Sequence, residues 1–322
     1  MVYSFAAAAL GLLAAAPALV VADMGRPVLF SNGLHDPLVA FDTIKSSGVA
    51  STRDSSVPQQ CKDFGQYDGS TCDVNNFETR EVFYEDCDQS WILCRCPDAQ
   101  MTMDQLQERL GQVPVGIRSY VGVAIASAQD SCSAVTINGE WIRFQGDCPV
   151  SVFLHESGHA VDDNFSAGQP WVDAINNDTC VPDGYANTNP VEDFAQVMVM
   201  YTYEKQFGPV PGDRSCLKRQ WDLIVADSRI NDAEDTKTCV KDKRTTLTND
   251  KFPAPAETTV APPPPPPPTS TETSTSSTST PTPDPSTAPT CNSAKFRFAR
   301  RALHVARAAA SKIKSITVPF GL

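Results

Sequence analysis

Histidine is scarce in this chain. Only four occur among 322 residues, at positions 35, 155, 159 and 304. Basic residues are also short: 26 Lys and Arg stand against 38 Asp and Glu, for a net charge of −12. Such acidity excludes a nucleic-acid backbone as the natural partner. Beyond residue 22, no stretch approaches the roughly 18 apolar residues needed to span a bilayer. There is no internal repeat, and no pair of cysteines has the C-x-x-C spacing of a redox or metal motif; Cys94 and Cys96 are one residue too close.

What is present divides the chain by composition. Residues 1–22 are an Ala- and Leu-rich run ending Val20-Val21-Ala22. An apolar run closed by small residues reads as a secretory signal peptide, although its start lacks Lys and Arg; an uncleaved membrane anchor is the competing reading. Eleven cysteines follow, at 61, 72, 87, 94, 96, 132, 148, 180, 216, 239 and 291. Ten precede residue 253, an even number suited to disulfide bridges in an oxidising compartment. The N-x-S/T triplets at Asn164 and Asn177 agree with secretion but are weak signals singly. The expected location is therefore extracellular, either free or attached to the cell surface or wall.

Residues 253–290 contain the uninterrupted run Pro262 to Pro268, followed by Ser and Thr. This composition predicts an extended stalk that packs no core. Residues 291–322 carry seven Lys and Arg and no acid, with Phe296, Ala299, Leu303, Ala306, Ala310 and Ile313 at helical spacing. A basic amphipathic helix of this kind can make weak contact with anionic surfaces; a solvated basic tail is the alternative. A glycolipid anchor signal fits this stretch poorly, because it needs a hydrophobic tail. Between signal and stalk lie a Cys-rich part, 23–100, and a core, 101–252, which together suit one sizeable monomeric domain.

Local signals place the elements of that core. Thr102 and Gln105 form a capping-box pattern for a helix to Gly111, with Leu106 and Leu110 on its apolar side. Short strands are expected at 81–84, 91–93 and 121–127. Asn138-Gly139 between 134–137 and 140–144 is a strong hairpin signal. Pro149 suits the first position of the next helix, with Asp147 or Cys148 near its cap. Asn189 and Pro190 start another helix, which Gly208-Pro209 ends, and one more helix is expected over 214–230. Residues 23–60 show little periodicity.

The helix after Pro149 carries His155-Glu156-Ser157-Gly158-His159, the H-E-x-x-H pattern of zinc peptidases. Residues four apart on a helix share a face, so both imidazoles can grip one ion. Zinc lowers the pKa of a bound water from 15.7 to about 7, and Glu156 stands where it could take that water's proton. A chance pairing of two of only four histidines is the bland alternative. A third ligand is needed. The metzincin continuation fails, because Asp162 replaces its Gly and Phe165 its third His. Asp173, Asp178 or Asp183 would serve an aspartate-ligand site such as that of deuterolysin-like zinc peptidases, but their G-T-x-D motif is absent. Glu192, on the helix after Asn189, would serve a glutamate-ligand site, yet a Glu three residues after Asn189 is also an ordinary capping-box residue.

The run His155-Glu156-Ser157-Gly158-His159-Ala160-Val161-Asp162-Asp163, then Tyr185, then Glu192-Asp193-Phe194-Ala195-Gln196, resembles the catalytic domain of anthrax lethal factor-type zinc peptidases. That family has H-E-x-G-H-A-V-D-D, then a Tyr seven residues before an E-x-F-A-E helix. The resemblance covers residues 155–196 and departs at its end, where Gln196 replaces Glu. It implies zinc held by His155, His159 and Glu192, with Glu156 activating water and Tyr185 stabilising an oxyanion. Asp162, Asp163 and Gln196 would support the ligands from behind. The fold it implies is an α+β, zincin-like one, with a small sheet beside the H-E-x-x-H helix and disulfide staples. The function it implies is a secreted zinc-dependent endopeptidase acting on proteins or peptides. The alternatives are a secreted or surface-attached binding protein that keeps the fold with little catalysis, and the aspartate-ligand peptidase.

Overall fold

The computed structural model describes residues 23–54, 56–65, 72–240 and 242–244. The expected signal peptide, stalk and basic tail, with Cys291, lie outside these residues.

The described chain enters through β1 (Val28–Phe30). It then builds a six-stranded sheet from β2 (Val49–Asp54), β3 (Glu78–Tyr84), β4 (Ser90–Arg95), β5 (Val123–Ser127), β6 (Ser133–Ile137) and β7 (Trp141–Gln145). The spatial order is β2-β3-β4-β5-β7-β6. The β2–β3, β3–β4 and β6–β7 pairs are antiparallel, while β5 lies parallel to both β4 and β7. The sheet is thus mixed, and β6 is one of its edges. It is also wider than the small sheet expected from residues 121–144, because the Cys-rich part supplies three strands. The whole of β5, Val123-Ala124-Ile125-Ala126-Ser127, is buried. A central strand covered on both faces reads as a continuous apolar run rather than an alternating one.

Helices cover the sheet. α1 (Gln59–Gly65) lies against β5 and β7. The β4-to-β5 crossover carries α2 (Met103–Gln112) and the short α3 (Val115–Arg118). Thr102 and Gln105 cap α2 reciprocally, the capping box expected from the sequence. The hairpin between β6 and β7 turns at Asn138 and Gly139 with φ of 53° and 72°. Two successive positive φ values are what a two-residue hairpin of the strand-matching twist requires.

After β7 come α4 (Val150–Asp162), α5 (Gln169–Asn177), β8 (Val181–Asp183) and α6 (Pro190–Phe207). β8 pairs in parallel with β1, forming a second, two-stranded sheet. Pro149 is the N-cap of α4 rather than its first helical residue, and no side chain caps that end. α5 has no counterpart in the sequence reading. Its signal is short: Pro170 near the start, then Trp171, Ala174 and Ile175 buried at helical spacing. The helix expected over 214–230 is broken into a 3-10 turn at 214–217, α7 (Lys218–Ala226) and α8 (Ser228–Asp235). Asp227 causes the break: its carboxylate accepts from the Arg229 and Ile230 amides and so starts a new helix.

The ten cysteines before residue 253 pair as 61–94, 72–96, 87–239, 132–148 and 180–216. Two bridges pin the α1 region to β4. The 132–148 bridge ties the start of β6 to the entrance of α4. The fold is therefore a mixed α/β domain with a multi-stranded sheet and several disulfides.

Candidate metal centre

α4 is buried along most of its length, with Phe153 stacked on Phe144 of β7 at 3.7 Å between ring centroids. Its other side meets α6. A Cβ placed on Gly158 would lie 3.4 Å from the Met198 Cβ and 3.6 Å from the Ala195 Cα, so the two helices run in close contact there. Gly158 lies between the two histidines in sequence, and this contact sets how near α6 can bring a ligand.

His155 and His159 stand one turn apart on the α6 side of α4. Their Nε2 atoms are 3.1 Å apart, and Glu192 Oε2 lies 3.1 Å from the first and 3.2 Å from the second. Glu192 occupies the first turn of α6. That turn is capped by the Asn189 side chain, which accepts from the Val191 and Glu192 amides. The Glu192 carboxylate is thus directed at the imidazoles. The three aspartates weighed as third ligands are elsewhere. Asp173 accepts from Gln169 on the exposed side of α5, Asp178 accepts from the Arg219 and Gln220 amides at the start of α7, and Asp183 faces Gln196.

Three donor atoms with edges of 3.1, 3.1 and 3.2 Å form a nearly equilateral triangle. Tetrahedral zinc with ligands at 2.0–2.2 Å sets its donors about 3.3 Å apart. The residues present therefore fit such an ion with shifts of a few tenths of an ångström. The donor set, two imidazoles and one carboxylate, is one that zinc-class ions accept. Cys87, Asp88 and Cys239 also converge, but both sulfurs are tied in a disulfide. A hollow of about 760 Å³ opens by Asp42, Glu108, Asp147 and the start of α4, and its lining includes none of the three donors.

The electrostatics follow from burial and crowding. Burial opposes ionisation of Glu192, but His159 and His155 outweigh it and hold the carboxyl below its usual range. Burial likewise opposes a charge on His159, yet Glu192 prevails and raises its pKa to about 9. Burial pushes Glu156 up, with the histidines and Thr136 pulling the other way. The site thus holds one firm negative charge, on Glu192, beside a His159 ring that takes up a proton. A divalent ion would replace that proton.

The remaining predicted residues surround this triangle in different ways. Glu156 is buried, and its Oε2 accepts from the Thr136 hydroxyl on β6 at 2.7 Å. The Tyr185 ring lies 5.4 Å from that of His155, and its hydroxyl bonds to Glu192. Burial, then Glu192, pushes the Tyr185 phenol up. Gln196 Oε1 sits 3.1 Å from His155 Nδ1. Asp162 accepts from the amide and hydroxyl of Ser166, closing the turn after α4, and exposed Asp163 takes the left-handed C-cap position with φ of 47°. Neither aspartate hydrogen-bonds to a histidine among the described residues. Asp183, which the sequence offered only as a rival ligand, instead accepts from Gln196 Nε2 at 2.7 Å.

Two comparisons bear on identity. The model of the family described as conidiation-specific protein Con-13 matches residues 26–248. Conidiation-specific protein 13 of Neurospora crassa is 36% identical over 159 residues, which cover 46% of this chain and 46% of that protein. The match thus spans about half the length of this curated relative. No solved structure matches.

These findings overturn the expectation of a lethal factor-type zinc endopeptidase. The family that spans most of the chain is described by conidiation, not by proteolysis, and the relative carries the same description. The hydrolase and metalloprotease assignments, the secreted peptidase function and the aspartate-ligand peptidase alternative fall with it. The reason is physical. The resemblance rested on residues 155–196, which specify how two helices present three donors. A donor set of that kind says where an ion can sit and does not by itself fix a reaction. The chain belongs to the conidiation-specific protein Con-13 family.

Proposed function

We propose that this Con-13 family protein binds one zinc-class divalent cation through His155, His159 and Glu192. The observation that carries the reading is the donor triangle of 3.1, 3.1 and 3.2 Å, built by two helices in close contact. Its residues are largely buried, so few waters compete for the ion. His155 and Glu192 are almost wholly covered, while His159 keeps 14% of its side chain exposed and marks the side of entry. The finer reading of the fold is zincin-like: a mixed sheet with an antiparallel edge strand, β6, beside the helix that carries both histidines.

A bound cation supplies positive charge that balances Glu192 and Glu156. The ligands then act as a cross-link between α4 and α6. His155 and His159 come from α4 and Glu192 from α6, so one ion fixes the relative position of both helices. Thr136 holds the Glu156 carboxylate toward β6. Tyr185 makes a hydrogen bond to Glu192. The five disulfides support an oxidising, extracellular location for this centre.

The test is metal content. The purified chain, loaded with excess zinc and desalted, should retain one zinc per molecule by elemental analysis. The His155→Ala/His159→Ala variant should retain none. A folded wild-type chain that emerges without metal, or a double variant that keeps it, refutes the reading.

A further inference from the structure

We infer that Asp183, acting through the side-chain amide of Gln196, commits His155 to present Nε2 to the metal. The inference rests on the metal reading above and adds a positioning residue to it. Its basis is a chain of three hydrogen-bonded side chains. Asp183 Oδ2 accepts from Gln196 Nε2 at 2.7 Å, and Gln196 Oε1 lies 3.1 Å from His155 Nδ1. His155 Nε2, on the other side of the ring, faces His159 and Glu192. All three members are buried.

The direction of the chain follows from what each group can do. A glutamine amide has one donating end and one accepting end. The carboxylate of Asp183 takes the donating end. Its other oxygen, Oδ1, is already an acceptor for the Tyr185 and Ala186 amides at 3.0 and 2.9 Å, which can only donate. Turning the Gln196 amide over would set its oxygen against the Asp183 carboxylate in a buried site. The accepting end must therefore face His155, and a carbonyl oxygen there requires a hydrogen on Nδ1. A neutral imidazole with its hydrogen on Nδ1 has its lone pair on Nε2. That is the atom in the donor triangle.

The same logic explains why Gln stands at 196. A Glu there would oppose the Asp183 carboxylate at hydrogen-bond distance with no proton between them. Asp183 and Gln196 are thus a matched pair, in which the carboxylate is one residue further from the metal than a Glu at 196 would place it. Asp183 is held firmly enough to do this. It ends β8, and its register partner is Phe30 of β1, so the N-terminal strand braces the rear of the centre.

The rival explanation is that Asp183 only shapes the turn at 185–186. Asp183→Asn separates the two. Asparagine keeps an oxygen for the two backbone amides but turns an NH2 toward Gln196. The Gln196 amide must then rotate, place its own NH2 on His155 Nδ1, and move the ring hydrogen to Nε2. Zinc affinity of the full-length chain, measured by competition with a chromophoric chelator, should fall by about 10- to 100-fold, the range seen when support behind a ligand is lost. Adding Gln196→Glu to Asp183→Asn should restore most of the loss. The new carboxylate accepts both from the side-chain NH2 introduced at position 183 and from His155 Nδ1–H. A merely structural role for Asp183 would not be rescued in this way. Undiminished zinc affinity in Asp183→Asn, or a double variant as weak as the single one, overturns the inference while leaving the metal reading intact. Failure of the unaltered chain to bind zinc removes the metal reading and this inference together.

Discussion

Glu192→Ala separates a metal ligand from a helix cap, and the structure sets the size of the effect. In the unaltered chain, one carboxylate oxygen stands 3.1 and 3.2 Å from two ring nitrogens, so all three donors can close on one ion. An ion that binds only the folded chain stabilises it by RT ln(1 + [L]/Kd), or about 4 kcal/mol at a free concentration 1,000 times Kd. For a domain of this size, each kcal/mol moves Tm by about 2–4 °C, so saturating zinc should raise Tm by about 8–16 °C. Removing Glu192 leaves two imidazoles and no anionic ligand, and the zinc-induced rise should largely vanish. The measurement is differential scanning fluorimetry of both chains, each with chelator and with buffered zinc. Comparing the rise within each chain cancels whatever the substitution costs the metal-free fold. A cap would behave otherwise: Asn189, not Glu192, holds the first-turn amides, and loss of a cap costs about 1 kcal/mol with or without zinc. An equal zinc-induced rise in both chains would refute the ligand role of Glu192.

Two further predictions concern the frame around the centre. Glu234 is buried, accepts from the Thr202 hydroxyl through Oε1, and has no partner for Oε2 among the described residues; burial raises its pKa from 4.5 to about 7. The unfolded chain therefore releases this proton first, and stability falls as pH rises from 4.5 to 7, by about 3 kcal/mol in all; Glu234→Gln should lose that part of the slope in urea titrations at pH 5 and pH 8, and an unchanged difference between the two chains at both pH values would refute it. Arg118 has no exposed side-chain surface, pairs with Asp86 at 2.5 Å, donates to the Gly111 and Val113 carbonyls, and lies over the rings of Tyr84 and Trp91. Arg118→Met should cost about 3 kcal/mol, the low end for breaking a buried pair because Asp86 keeps some contact with water, and a loss below about 1 kcal/mol in chemical denaturation would contradict this.

What the sequence made legible was local. The Asn138-Gly139 turn, the Thr102–Gln105 box and the Asn189-Pro190 start each act within a few residues, and each is found where its chemistry places it. The spacing of His155 and His159 fixed a shared helical face for the same reason. Strand order was not legible. β7 inserts between β5 and β6, and no residue of the hairpin announces that β5 will be its parallel neighbour. Disulfide partners were hidden too, since Cys87 and Cys239 are separated by 152 positions. Asp183 shows the limit most clearly. Two of its hydrogen bonds are local, to the Tyr185 and Ala186 amides, and read as an ordinary turn; the third, from Gln196, depends on α6 returning past β8, so its sequence neighbours do not reveal that role. Asp162 and Asp163 each serve a local need, closing and ending the turn after α4, while the charge of Asp162 also favours a protonated His159.

The structure also accounts for how a convincing motif can stand apart from the reaction it suggests. α4 lacks a side-chain cap at Pro149 and is held at that end by the Cys132–Cys148 bridge. At its other end, Arg229 donates to the carbonyls of Val161 and Asp162, the latter also accepting from the Phe165 amide. Between those two anchors, the histidines and Glu192 join α4 to α6. On the proposed metal reading, such a helix has a structural use for a cation, because the ion would complete the set of ties that fix α4 on the sheet. His159 in the last turn also lies toward the negative end of the helix dipole, which favours positive charge there. Residues 155–196 contain all three donors of the triangle. The Con-13 family match, by contrast, runs over residues 26–248 and so rests on the whole described domain rather than on that stretch alone.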